Sequence, residues 1–339
     1  MRSDVEADRT ARSLPRMLAG YEASDARSAL KQLIVTAVPY GALWLTMLAA
    51  SRDWPWLTLL LAVPTAGLLV RLFLIQHDCA HRSFLPSRAA NDVLGTLIGF
   101  LTLTPHACWR RLHLMHHATS GNLDRRGSGD LDTLTVSEYL ALSPERQWRY
   151  RVYRNPVVLF AIVPFVHFVV RQRWSPFGGA RWLQERSSVY LTNAVIVAYT
   201  IAWSWAISVE RFLLVQGPMY LLAASVGMWL FYVQHQFEDT YWDRDSRWDA
   251  VAAGMHGSSY YVLPKRLEWL TCCIGLHHIH HLSPRIPSYR LRQCLDDNPL
   301  LQQAPRLTLR QSLRCTSLKL WDEETRRLVP FPRAARARK

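Results

Sequence analysis

Acidic residues are in short supply in this chain. Its 339 residues include 26 Asp and Glu against 40 Lys and Arg, which leaves a net charge of +14. Cysteine is scarce as well. None of the six forms a CxxC pair, so they read as free thiols in a reducing compartment rather than as a disulfide framework. Residues 1–29 mix Arg with Asp and Glu and contain no apolar stretch. That excludes a secretory signal, and a cytoplasmic, partly disordered tail is expected. No segment recurs at a solenoid period, which excludes a stacked-repeat architecture.

What the chain has in abundance is apolar sequence gathered into runs. Half of the residues are hydrophobic, 11% are aromatic and 14 are Trp. A mean hydropathy of −0.03 looks soluble only because charged segments separate the runs. The basic excess fits nucleic acid or the cytoplasmic face of a membrane protein, and the runs favour the second. Residues 31–50 are long enough to span a bilayer, for which roughly 20 apolar residues suffice. Residues 54–81 would reach about 42 Å as a helix against a hydrocarbon core of about 30 Å. The excess carries His77 and His81 past the interface. Residues 188–208 and 211–235 repeat the arrangement, and the second of them projects His235. Transmembrane helices are therefore expected at about 31–50, 54–76, 188–208 and 211–234, in two hairpins. Two shorter runs, 89–105 and 156–170, are expected to be interfacial or re-entrant. The outer turns, with Val209–Glu210 as the second, contain Arg52 and Arg211 and no other basic residue. This places both termini in the cytosol.

The expected fold is an all-α integral membrane protein with four transmembrane helices and a cytosolic helical cap. The tail covers 1–29, the membrane domain 30–325, and a basic end, solvated or at the lipid surface, 326–339. Within the last hundred residues, LRQSLRCTSLKLWDEETRRL has helical periodicity and is expected to pack on the cap.

The chemistry lies in histidine. Gly275–Leu282 reads GLHHIHHL, in which His277, His280 and His281 form an HxxHH pattern. The spacing recurs at His113, His116 and His117, and His77 and His81 add an i, i+4 pair. On a helix such positions share a face. Imidazole suits Fe, Zn, Cu or Ni, and eight boxed histidines exceed the four ligands of one zinc, so two ions are expected. His235 would be a ninth ligand, giving one ion a fifth. Asp78, Asp124, Asp130, Asp132, Glu238 and Asp239 are available to accept hydrogen bonds from imidazole N–H groups. Asp78 and Glu238 are favoured because they neighbour candidate ligands in sequence. His106, His167 and His256 read as non-ligands. His278 lies about 100° around a helix from His277, off the face that binds.

The three histidine boxes, with the phrases LHLMHHATSGNLDRRGSGDLDTLTVSEY and FEDTYW…GLHHIHHLSPRIPSYRL, resemble the membrane fatty acid desaturase superfamily, in particular bacterial members closest to Δ12/ω-6 acyl desaturases. The resemblance covers roughly residues 30–325. It implies four transmembrane helices, a cytosolic cap and a non-haem di-iron centre in the bacterial inner membrane. Carried over by motif, the iron ligands are His77, His81, His113, His116, His117, His277, His280 and His281, and His235 matches a further family ligand. The implied reaction introduces a double bond into a long acyl chain with O2 and two electrons. The chain would be held as lipid, acyl-CoA or on acyl carrier protein. No HPGG motif of a fused cytochrome b5 occurs, so a separate ferredoxin, rubredoxin or cytochrome is implied as donor. Acyl hydroxylation or acetylenation by the same superfamily is the alternative chemistry. A histidine-rich metal transporter is the alternative class, but transporter sites lie near the bilayer midplane, whereas these histidines sit at helix ends.

Overall fold

A computed structural model describes Leu14, residues 16–127 and residues 129–332. Residues 1–13 and Pro15 of the expected tail, and the terminal RAARARK, lie outside the described residues. In chain order the helices are α1 (Ala26–Ala50), α2 (Pro55–His81), α3 (Arg88–Leu101), α4 (His106–Thr119), α5 (Val136–Leu140), α6 (Pro144–Tyr153) and α7 (Val163–Val169). They continue with α8 (Leu183–Ile207), α9 (Val209–His235), α10 (Ala250–His256), α11 (Lys265–Leu270), α12 (His277–Leu282), α13 (Ser288–Asp297) and α14 (Leu309–Cys315).

The helices α1, α2, α8 and α9 are long and apolar enough to cross a membrane. Asp25 caps α1, its side chain accepting from Ser28 N at 2.7 Å. Pro55 opens α2 where a missing N–H is harmless. Pro39, Pro64 and Pro218 lie inside spans, where membrane helices tolerate proline. Helix α2 is the spine of the bundle. It packs against α1, α3 and α9, and 61% of its most apolar stretch is buried, against 6% for α8. Its 27 residues reach about 40 Å, longer than a hydrocarbon core of about 30 Å. Between α8 and α9 stands only Ser208, at φ +76°. This left-handed residue makes the turn one position earlier and tighter than the Val209–Glu210 turn expected. Arg211 then staples the two hairpins, donating from Nε to Ser51 Oγ at 3.0 Å and from Nη2 to Leu48 O at 3.1 Å.

The short apolar runs behave differently from the spans. Helix α3 has 14 residues, about 21 Å, too short to cross. Asn91, Gly95, Ile98 and Gly99 form its buried stripe, while Val93 and Leu97 are exposed. The other run breaks into a π-helical turn, Val158–Ile162, followed by α7, and bends by 61° against α6.

The cap is mostly helical, with two small sheets added. β1 (Tyr260–Val262) pairs in parallel with β2 (Arg306–Thr308), Tyr260 opposite Arg306. β3 (Leu320–Asp322) pairs antiparallel with β4 (Arg327–Val329), Leu320 opposite Val329. The helical periodicity expected through residue 328 is realised only in α14. Beyond it, the Asp322 side chain accepts from Glu324 N at 3.0 Å and Thr325 Oγ1 at 2.8 Å. This turns the chain into a hairpin that buries Trp321 and Leu328 and carries the ordered cap past the boundary expected at residue 325. Ahead of α1, Leu14 and Leu18 are buried against the cap. Tyr21 Oη donates to Asp297 Oδ2 at 2.9 Å.

Gly99 marks a tight joint beneath the histidines, since a Cβ there would stand 2.5 Å from the carbonyl oxygen of Thr104. Gly99→Ala is expected to destabilise by about 1–3 kcal/mol, the usual cost of overpacking. Gly217→Ala, with nothing within 4 Å, should be neutral or stabilise by about 0.4–1 kcal/mol. Thermal unfolding of the detergent-solubilised protein compares the two; equal midpoints would refute the steric argument.

Candidate metal centre

Each histidine box is carried by a helix end that the surrounding sequence holds in place. His77 and His81 occupy the last turns of α2, which closes on Arg82 in the left-handed conformation. Helix α4 brings His113, His116 and His117. It is tied to α2 by Arg110 Nε, which donates to Ala80 O at 2.8 Å. Gln76 ties the loop before α4 to the same turn, through Thr104 O at 3.3 Å and Thr102 Oγ1 at 2.6 Å. His235 ends α9. Helix α12 begins at His277, and the preceding Gly275 O accepts from Tyr261 N at 2.7 Å. A Cβ on Gly275 would stand 2.5 Å from Tyr261 O, so the approach of these two backbones needs glycine.

The ring nitrogens converge in two sets. Potential ligand atoms of His77, His81, His113, His117 and His280 lie within 4.8 Å of one another, as do those of His116, His235 and His281. His277 joins the second set, its Nε2 2.9 Å from that of His235 and 3.1 Å from that of His281. In the first set the Nε2 atoms run His81 to His113 at 2.9 Å, His113 to His117 at 3.1 Å and His117 to His280 at 3.0 Å. These contacts cannot all be hydrogen bonds. An Nε2 has one in-plane position, filled by either a proton or a lone pair. Four such atoms in a row therefore satisfy at most two of three contacts. A shared cation satisfies them all: nitrogens about 2.1 Å from one ion and at right angles stand about 3.0 Å apart. Removal from water, and then the neighbouring imidazoles, hold His113, His117, His280 and His281 well below the ordinary histidine pKa. They are therefore neutral, the form that binds metal. The sets abut, with His117 stacked on His281 at 4.2 Å between centroids.

Two features differ from the sequence expectation. Each HxxHH divides between the sets: the i, i+4 members go together and the remaining member crosses over. His235 also completes the set of four instead of adding a fifth ligand. The five-membered set lies elsewhere, around His77 and His81, because α2 delivers both of its histidines to one place.

The carboxylates sort by space rather than by sequence. Asp130 takes the hydrogen bond from His116 Nδ1 in a very short contact, although 14 residues separate the two. Asp78 Oδ1 is 3.5 Å from His77 Nδ1, and its Oδ2 accepts from Ser288 N at 2.8 Å. It thus ties the first box to α13. Glu238 is exposed, its carboxylate 3.9 Å from Arg327, and the expectation that it supports an imidazole is corrected. Helix α9 ends at His235, and the chain that follows turns Glu238 away. Asp124 bonds Arg244 at 2.8 Å. His235 Nδ1 lies 3.3 Å from Gly257 O.

The remaining histidines stay outside both sets. His106 is buried under Gly95, His167 faces Gln172 at 3.2 Å and His256 is exposed. His278 is fully buried beside Tyr260. Two aromatic walls also escaped the sequence reading. Trp109 stacks on His113 at 4.5 Å, and Phe231 stands 5.3 Å from His116 and 5.4 Å from His235. Their i, i+4 spacing to His113 and His235 was the available signal.

The sequence profile of the family described as Fatty acid desaturase matches residues 54–310, which include all nine histidines. The chain is 43% identical over 320 residues to a fatty acid desaturase of Bacillus subtilis (strain 168), covering 94% of this chain and 90% of that protein. It is 26% identical over 277 residues to the sn-1 oleoyl-lipid 12-desaturase of Anabaena variabilis, covering 78% and 75%. With the chloroplastic omega-6 fatty acid desaturase of Arabidopsis thaliana it shares 28% over 282 residues, covering 79% and 58%.

The division into sets makes His235 and His278 opposites. His235→Ala is expected to release the metal of the four-histidine set and keep the other, halving bound metal. His278→Ala should keep both while unfolding at lower temperature. Metal analysis of the purified variants, each first shown to insert, decides the matter. Full metal in the first variant, or half in the second, would reject this division.

Proposed function

Because the chain belongs to the fatty acid desaturase family, a family of oxidoreductases, we propose that it introduces a double bond into a long acyl chain at two non-haem irons, consuming O2 and two electrons. The observation that carries this reading is the convergence of nine imidazoles, three from the ends of two spans and six from α4 and α12, on two neighbouring points. Imidazole suits several metals, but dehydrogenation changes the substrate by two electrons, and zinc has no redox chemistry. The proposed ligands are His77, His81, His113, His117 and His280 for one iron and His116, His235, His277 and His281 for the other. Bound iron would supply the activation of O2 needed to attack an unactivated C–H bond. In balance, –CH2–CH2–, O2, two electrons and two protons give –CH=CH– and two waters.

The protein's own groups prepare the site. Asp130 keeps the proton of His116 on Nδ1, which leaves the Nε2 lone pair for a metal. The carbonyl of Gly257 does the same for His235. Trp109 stacks on the His113 ring and Phe231 lies against those of His116 and His235. With both termini in the cytosol, the basic cap would meet a ferredoxin, rubredoxin or cytochrome there. The Anabaena relative's name supports offering lipid-borne chains first, ahead of acyl-CoA or acyl carrier protein.

Expression in a host that lacks polyunsaturated lipids, with mass spectrometry of total acyl chains, tests the reading. A species lighter by two hydrogens, formed only with iron and O2, is expected. Hydroxylated or acetylenic products alone, from every chain offered, would refute the introduction of a double bond.

A further inference from the structure

Arg154, at the end of α6, has no exposed surface. Among the described residues, its guanidinium is surrounded by neutral acceptors. Nη1 donates to Asp132 O at 3.3 Å and Thr133 Oγ1 at 3.2 Å. Nη2 donates to Gln236 Oε1 at 3.0 Å and Leu318 O at 3.1 Å. A buried cation held only by neutral groups is costly, so its retention calls for a reason. The identity of the acceptors supplies one. Asp132 and Thr133 belong to the loop that carries Asp130, the partner of His116. Gln236 directly follows His235, and Leu318 belongs to the C-terminal segment. A rigid fork of donors can pin several acceptors at once, as a neutral side chain cannot.

We propose that Arg154 is a positioning residue for the four-histidine metal site, locking the Asp130 loop to Gln236 so that His116 and His235 meet the same ion. The proposal rests on the two-ion reading above. The link runs along two arms, Asp130 to His116 and Gln236 to His235, and both histidines belong to the set of four; Thr133 Oγ1 also donates directly to Gln236 Oε1 at 3.3 Å, and Arg154 clamps both atoms of that contact. Among the described residues no hydrogen bond connects Arg154 to the helix ends that carry His77, His81 or His280, and it reaches α4, which also carries His113 and His117, only through the Asp130 loop and the His116 side chain. Its removal therefore acts on one ion and spares the other. A residue that merely supported the fold would affect both alike.

The test uses the full-length protein in detergent, loaded with 57Fe, and Mössbauer spectra with metal analysis as the readout. His116→Ala and His280→Ala identify the signal of each site. Arg154→Met and, as a milder second variant that keeps the cation, Gln236→Leu are then compared with the parent. Iron affinity at the four-histidine site is expected to fall roughly 10–100-fold, the usual loss when support for a ligand is removed. The signal that His280→Ala removes should persist at parental intensity. Both variants retaining both signals, or losing both together, would overturn the proposal while leaving the two-ion reading intact. A parent without two separable iron signals would overturn that reading, and the proposal with it.

Discussion

Nine imidazoles converge on two neighbouring points, a crowding of ring nitrogens that fits positive charge held among them. Each neutral ring offers a single in-plane proton or lone pair at Nε2, so a row of nitrogens 2.9–3.1 Å apart leaves contacts that hydrogen bonding cannot satisfy. The rest of the molecule can be understood as the scaffold that enforces this convergence. The ends of α2 and α9 present His77, His81 and His235, and α4 and α12 bring the remaining rings against them. Protonation cannot relieve the crowding, because neighbouring rings and removal from water both oppose a charged imidazole.

Enforcing the geometry requires rigid joints between segments distant in sequence, and the start of α13 is one of them. Ser288 N donates to Asp78 in the first box. Tyr289 Oη donates to Phe84 O at 3.1 Å and accepts from Asp25 N at 2.9 Å. Just beyond the third box, Ser283 Oγ donates to Glu22 at 2.8 Å. The polar segment ahead of the first span is thereby drawn over the cap. Small residues let these joints close: Gly275 and Gly99 each stand where a Cβ would meet a backbone oxygen at 2.5 Å.

Much of this was legible in the sequence because spans and boxes are local signals. A run of apolar residues too long for a bilayer announces its own projecting end, and HxxHH announces a ligand-bearing helix face. The pairing of residues from different elements was not legible. Periodicity puts His113, His116 and His117 on one side of α4, yet nothing in it says that His116 reaches towards His235 while its neighbours reach towards His81. Proximity in sequence favoured Glu238, which the end of α9 turns outwards, over Asp130, which a loop brings back 14 residues later. The β3–β4 hairpin was read as helical because its turn depends on Asp322 bonding locally, a feature that hydrophobic spacing does not register.

The central claim is that nine histidines form two adjoining sites of five and four nitrogens. Anomalous diffraction at the iron edge from crystals of the iron-loaded protein tests it most directly. The account predicts two peaks, one met by Nε2 of His77, His81, His113, His117 and His280, the other by Nε2 of His116, His235, His277 and His281. A single peak, or two peaks whose ligands follow the boxes as they stand in sequence, would contradict it.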